Sequence, residues 1–442
     1  MQPPFVPAAP AGPWRYAVGV NAGRSRSAFA TWAGAASTIP GMDRSLSTLL
    51  LVALIAVLSP PLADLVGRAA PVPMVVFEIV LGILVGPDVL GWAVQDDLVH
   101  TLSQFGLAML FFMAGYEIDF DRLRGGPLAR AVRGWAMSVV IGVGLGLLLA
   151  PTADSGAIVG IALTTTALGT ILPVLRDAGQ LGTALGDAVM AVGAVGEFAP
   201  IVAMTLFLDG RRPGEAMIYL TAFAAIAGAG IFLAVRGRHT TLNRLADATM
   251  ETSGQFAVRL VMALLMAMVA ATAVLGVDML LGAFAAGVIM RILFHSGNPE
   301  RTERVTAKLE AVGFGFLIPV FFIDTGIGYD LKALTSDWGT LALVPLFLVL
   351  FLLTRGLPSF LTAPRGSTGR ERRAVALYAS TALPLIVAIT SIGVDRGTMR
   401  SSDAAAMVGA GMLSVLLYPF LALRTSGAVR TPQGREEAAE SW

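Results

Sequence analysis

Apolar runs recur along the whole chain, separated by short polar stretches. Each is close to the roughly 17–25 residues that an α-helix needs to cross a hydrocarbon core. Thirteen can be placed, at about 46–66, 73–92, 99–119, 130–150, 155–175, 184–208, 215–235, 255–275, 278–294, 309–329, 339–361, 373–394 and 402–423. The period-2 alternation of a membrane β-barrel is absent. The pattern predicts an all-α polytopic membrane protein with about thirteen transmembrane helices. Composition agrees: 55% of the 442 residues are hydrophobic and 14% are charged, against about 25% charge in a soluble protein. Net charge is +1, which gives no case for nucleic acid, and the absence of cysteine excludes disulfides, thiolate metal sites and thiol redox chemistry.

An odd number of spans puts the termini on opposite sides. Loops on the side of the C-terminus carry 22 of the 31 Lys and Arg residues, so the positive-inside rule places the C-terminus in the cytoplasm and the N-terminus outside a cell membrane. Residues 1–44 are rich in Pro, Ala, Gly and Arg and lack a signal-peptide layout. They are expected to be a disordered tail, and Met42 is a plausible natural start. Residues 45–424 form the transmembrane domain, and 425–442 a short cytoplasmic tail.

The chain resembles itself in four places, in the same order. "EIVLGILVG" (78–86) matches "DMLLGAFAAG" (278–287), and "FGLAMLFFMAGYEID" (105–119) matches "FGFLIPVFFIDTGIGYD" (314–330). "TTALGTI" (165–171) matches "STALPLI" (380–386), and "DAVMAVGAVGE" (187–197) matches "DAAAMVGAGML" (403–413). The copies, about 46–208 and 255–423, are seven spans apart and therefore upside down to each other. Two inverted-topology six-helix repeats are a layout of secondary transporters, with the site near the midplane.

The third pair places Thr or Ser, Gly and Pro in the middle of spans five and twelve. These residues weaken a helix, and in lipid the freed backbone groups need protein, water or an ion as partners. Crossed, broken helices are therefore expected, with dipole ends of both signs at mid-membrane; two ordinary proline kinks are the alternative. Glu197 is the single charge between Asp187 and Asp209. It lies about 20 Å along its helix, near mid-bilayer, where a carboxylate is costly and can hold either a proton or a small cation. A structural ion pair is the other reading. Its repeat counterpart is Leu413, so symmetry does not require an acid there. Arg355 either snorkels or turns inward as a fixed counter-charge. Asp324 lines an outer funnel or caps a surface, Glu78 is a further possible charge partner, and Glu117 and Asp119 read as solvated helix ends. His100, His239 and His295 fall in loops and make no metal site.

These segments, with "LGAFAAGVIM", "EIVLGILVGPDVLG" and "STALPLIVAITSIGVDRG", resemble the monovalent cation:proton antiporters of the sodium/hydrogen exchanger superfamily, in its second large bacterial branch, over about residues 45–424. The resemblance implies a transporter, not an enzyme, without a cofactor, and a homodimer in the lipid bilayer. It carries the ion-binding acid of span six onto Glu197, while the first member of the usual acid pair falls on Gly196. The basic residue of span eleven falls on Arg355, and the unwound segments fall on Thr165–Thr170 and Thr381–Pro384. A span-three Glu of some relatives falls on Met113. Glu197 is thus expected to bind H⁺ or a monovalent cation, Na⁺ or K⁺, in turn, helped by Thr165, Thr166, Thr170, Thr381 and freed carbonyls. Spans 4–6 and 11–13 would move against a scaffold of spans 1–3 and 8–10. A sodium-coupled symporter of an organic anion and a non-transporting membrane sensor are the competing readings.

Overall fold

A computed structural model describes residues 44–67, 74–118, 125–150, 152–207, 213–236, 255–295 and 299–426. The expected tails lie outside these apart from Arg44 and residues 425–426, as do Asp119 and His239. Among the described residues, ten helices are long and apolar enough to cross a membrane, and three shorter apolar helices join them.

The first half comprises α1 (Arg44–Gly67), α2 (Met74–Val85), α3 (Asp97–Glu117), α4 (Gly126–Leu149), α5 (Ala153–Ala162), α6 (Leu168–Asp177) and α7 (Ala184–Phe207). A linking helix α8 (Pro213–Arg236) follows. The second half comprises α9 (Phe256–Leu275), α10 (Met279–His295), α11 (Pro299–Val312), α12 (Ile318–Ile327), the short α13 (Leu331–Thr335), α14 (Trp338–Phe351), α15 (Leu357–Leu361), α16 (Gly369–Ala379), α17 (Pro384–Asp395) and α18 (Ser401–Ser426). Two π-helical turns, Gly313–Leu317 and Leu352–Gly356, join α11 to α12 and α14 to α15 into continuous spans.

Local chemistry sets the ends. Asp96 accepts from the N–H groups of Leu98 and Val99 and starts α3. Thr368 and Glu371 form a capping box on α16. Gly276, at φ +63°, closes α9 in the left-handed conformation that glycine adopts without strain. The second span stops at Val85, short of the expected residue 92, because the chain turns at 86–90 and Gly91 takes φ +65°. Side chains such as Val274, 87% exposed, and Leu148, 82% exposed, face outward, where hydrocarbon rather than water suits them.

The repeat is visible in how glycines let the halves approach. A Cβ on Gly82 of α2 would strike the Ile323 carbonyl of α12, and one on Gly326 of α12 would strike the Ile79 carbonyl of α2. The related pair does the same: a Cβ on Gly115 of α3 would strike the Phe284 carbonyl of α10, and one on Gly287 would strike the Phe112 carbonyl. Each half thus lends one helix to the other half, and the small residues of "LGAFAAGVIM" serve close packing inside the chain.

Candidate functional site

The two breaks face each other. Residues 163–167 separate α5 from α6, and residues 380–383 separate α16 from α17. Thr164 and Thr165 end α5 by turning their hydroxyls back on the carbonyls of Ile161 (2.7 Å) and Ala162 (2.8 Å). The Ala167 N–H donates to the Thr381 carbonyl across the crossing (2.8 Å). On the far side, Ser414 of α18 satisfies both the N–H and the carbonyl of Ala382 at 3.0 Å each. The first break begins two residues before its expected segment and the second begins one before: Leu168 to Thr170 are already helical, with the Thr170 hydroxyl on the Ala167 carbonyl (3.0 Å). The Thr381 hydroxyl returns to the Leu377 carbonyl (3.3 Å).

Pro200 explains where the first break docks. It lacks the N–H that would bond the Gly196 carbonyl four residues earlier in α7. The Thr166 N–H takes that carbonyl at 2.9 Å. The next residue, Glu197, is 3% exposed. The N–H of Leu168, first residue of α6, faces its carboxylate, at the positive end of a half-helix. Its Oε2 is buried without a hydrogen-bond partner.

Arg355 does not snorkel. It lies in the π-helical turn Leu352–Gly356, whose extra residue re-aims side chains, and it is 1% exposed. The guanidinium donates from Nε to Thr166 Oγ1 (2.9 Å), from Nη1 to Ser138 Oγ (3.3 Å) and from Nη2 to the Val192 carbonyl (3.1 Å). Thr166 Oγ1 in turn donates to the Ala379 carbonyl (2.6 Å). No ion pair forms between Arg355 and a carboxylate among the described residues. Its seat exists because of Gly196: a Cβ there would overlap Arg355 Nη2 and lie 2.7 Å from Thr166 Oγ1. One arginine therefore ties α4, α7 and the first break together, and the Thr166 hydroxyl serves that arginine. Sequence reasoning missed Ser138 and Ser414; neither shows a local signal, because their partners lie on distant helices.

Two cavities open at the two ends of α3. One of about 510 Å³ is lined by Asp324 and by His100, which stands in the first turn of α3 and not in a loop. The other, about 240 Å³, contains Glu117, Arg176 and Arg291. Glu117 is half-buried rather than fully solvated. Glu197 lines neither cavity. Glu78 is 3% exposed on α2, within the helices packed against α12, and is not brought to the crossing. Among the described residues no group of three His, Asp or Glu could hold a metal ion.

The family model described as "Sodium/hydrogen exchanger, transmembrane" matches residues 50–423. YjbQ of Bacillus subtilis (strain 168), named as a candidate Na(+)/H(+) antiporter, is 26% identical over 394 residues, 85% of this chain. The chain spans 62% of that relative's length. GerN of Bacillus cereus, named a Na(+)/H(+)-K(+) antiporter, is 23% identical over 363 residues, covering 80% of this chain and 90% of GerN. The structure of the sodium proton antiporter MjNhaP1 from Methanocaldococcus jannaschii at pH 8 has the same fold, with a TM-score of 0.65 at 15% identity, over 87% of this chain and 98% of that one.

Proposed function

The chain belongs to the transmembrane sodium/hydrogen exchanger family, and from that premise we propose that it exchanges one monovalent cation, Na⁺ or K⁺, for one proton through Glu197. The observation that carries the reading is a buried carboxylate at the N-terminus of α6 whose Oε2 has no hydrogen-bond partner. Such a group is stable only with a load, and a proton or a small cation answers the need equally. The break that docks on Gly196 through Thr166 offers hard oxygen donors in Thr165 and in its own carbonyls.

Arg355 has a different task. Its donors are committed to Thr166, Ser138 and Val192, so its charge is a fixed part of the site. Proton and cation then leave the loaded site with the same net charge, and one-for-one exchange is electroneutral. The same commitment argues against an organic-anion substrate, which would need a free cationic contact. The cavities at the two ends of α3 support access from either side, with α4–α7 and α14–α18 moving against α1–α3 and α9–α12. The excess of Lys and Arg supports a cytoplasmic C-terminus in a cell membrane, and the scaffold helices offer the face for a homodimer.

The test is a pH-dye flux assay on purified protein in proton-loaded vesicles, titrated with Li⁺, Na⁺, K⁺ and Rb⁺, with and without clamped voltage. Cation-driven proton exit that ignores the clamp is expected. Flux no greater than in empty vesicles, or Na⁺-dependent solute uptake that needs no proton, would overturn the proposal.

A further inference from the structure

The exchange proposed above uses one carboxylate, yet a second is buried in a cavity wall. Asp324 of α12 is 3% exposed and faces the 510 Å³ cavity between α3 and α12 on one side and α17 and α18 on the other. Its Oδ1 is buried without a hydrogen-bond partner. Its Oδ2 lies 3.8 Å from Nδ1 of His100, whose side chain is 56% exposed. Ser103 of α3 and Gln95 stand beside the carboxylate and line the same cavity.

The charge of the wall is one-sided. Asp278, Asp324, Asp330 and Asp395 line the cavity with His100, and among the described residues no Lys or Arg does. The cavity at the opposite end of α3 is different: Glu117, Asp187 and Glu310 are accompanied there by Arg176 and Arg291. A cleft of one sign with low-dielectric walls concentrates counter-ions. A buried carboxylate oxygen without a donor is costly until something positive reaches it. A carboxylate, a hydroxyl and an amide oxygen are the hard donors that alkali cations take.

We propose that Asp324, with Ser103 and Gln95, forms a second monovalent-cation site, for Na⁺ or K⁺, separate from Glu197. The other groups facing it favour a cation. Asp96, the N-cap of α3, is the next acid along and favours either cation. Tyr329 donates its hydroxyl to the Ala405 carbonyl and stays neutral. Glu78, on the helix packed against α12, adds no positive charge. The cavity wall includes α17, the half-helix that leaves the second break, so under this proposal the site gathers cations for Glu197. That loading role rests on the exchange reading, whereas cation binding at Asp324 does not.

The experiment is equilibrium binding of radioactive sodium to purified full-length protein carrying Glu197→Gln, which removes the first site. One saturable site is expected to remain at about pH 8.5. Adding Asp324→Asn should abolish it. Should Asp324→Asn fail to fold, Ser103→Ala takes its place and should weaken binding several-fold. No saturable binding in Glu197→Gln at the alkaline pH, or binding unchanged by Asp324→Asn or Ser103→Ala, overturns the site. If Glu197→Gln leaves cation-driven proton exit intact, the exchange reading falls while these binding arms still decide the Asp324 site.

Discussion

Replacing Gly196 with alanine adds one methyl at the tightest point of the crossing. The new Cβ would overlap Arg355 Nη2 and come within 2.7 Å of Thr166 Oγ1 and 2.8 Å of Thr166 Cβ. Neither neighbour can retreat freely. Thr166 is held by its N–H on the Gly196 carbonyl (2.9 Å) and its hydroxyl on the Ala379 carbonyl (2.6 Å). Arg355 is held by Thr166 and the Val192 carbonyl. Overpacking a dense site costs about 1–3 kcal/mol. Losing one charged hydrogen bond adds about 1.5–3 kcal/mol, and alanine's better helix propensity returns about 1 kcal/mol. A net loss of about 1.5–5 kcal/mol follows from these figures. It is read as a lower unfolding midpoint in detergent and, because the crossing is displaced beside Glu197, as exchange slowed by at least about tenfold in vesicles. Gly144→Ala on α4 is the control, since no heavy atom outside its own helix lies within 4 Å of the added methyl. If Gly196→Ala proves as stable and as active as Gly144→Ala, the assignment of Gly196 as the seat of Arg355 is wrong.

Three further predictions probe the same framework. Arg355→Lys keeps the charge but cannot reach Thr166, Ser138 and Val192 together; it should cost about 1.5–3 kcal/mol, and Gly196→Ala should cost less in its presence, as a double-mutant cycle of unfolding free energies will show. Gly287→Ala drives a methyl into the Phe112 carbonyl, so its loss of stability in the same detergent assay should exceed that of Gly144→Ala by about 1–3 kcal/mol. Outside the membrane, Lys332 bonds Asp88 through its backbone N–H (3.1 Å) and its ammonium (3.1 Å) and holds that carboxyl below the usual range. A depressed folded value stabilises above the unfolded value and is lost as pH falls through the folded one. The small difference between Asp88→Asn and the parent should therefore be constant near neutrality, begin to shrink below about pH 4 and vanish only below the depressed folded value.

Hydropathy alone placed the spans, because crossing a bilayer demands a length that a run of apolar residues reports directly. The breaks were readable from Thr, Gly and Pro in matching repeat positions, but their limits were not. Thr164 and Thr165 close α5 on its own carbonyls, which moves the break toward the N-terminus, and Gly169 is simply helical. Glu197 stood out as a lone charge in an apolar run. The use of its neighbours did not: Pro200 frees the Gly196 carbonyl, and Gly196 makes room for an arginine from a helix more than a hundred residues away. Such a fit depends on where two helices cross, and one sequence carries no record of it. Arg355 stayed ambiguous for the same reason, since the π-helical turn that aims it inward has no sequence signature. His100 read as a loop residue, although Asp96 caps α3 just before it and turns it toward Asp324.

The central claim is that one carboxylate carries both loads. Its most direct test compares Glu197→Gln with Glu197→Asp in proton-loaded vesicles, following dye-reported pH after a cation pulse. Glutamine has the shape of glutamate but can exchange neither proton nor cation, so proton exit should fall to that of empty vesicles. Aspartate keeps the charge on a stem one methylene shorter and should retain measurable exchange. Undiminished cation-driven proton exit in Glu197→Gln would contradict the account.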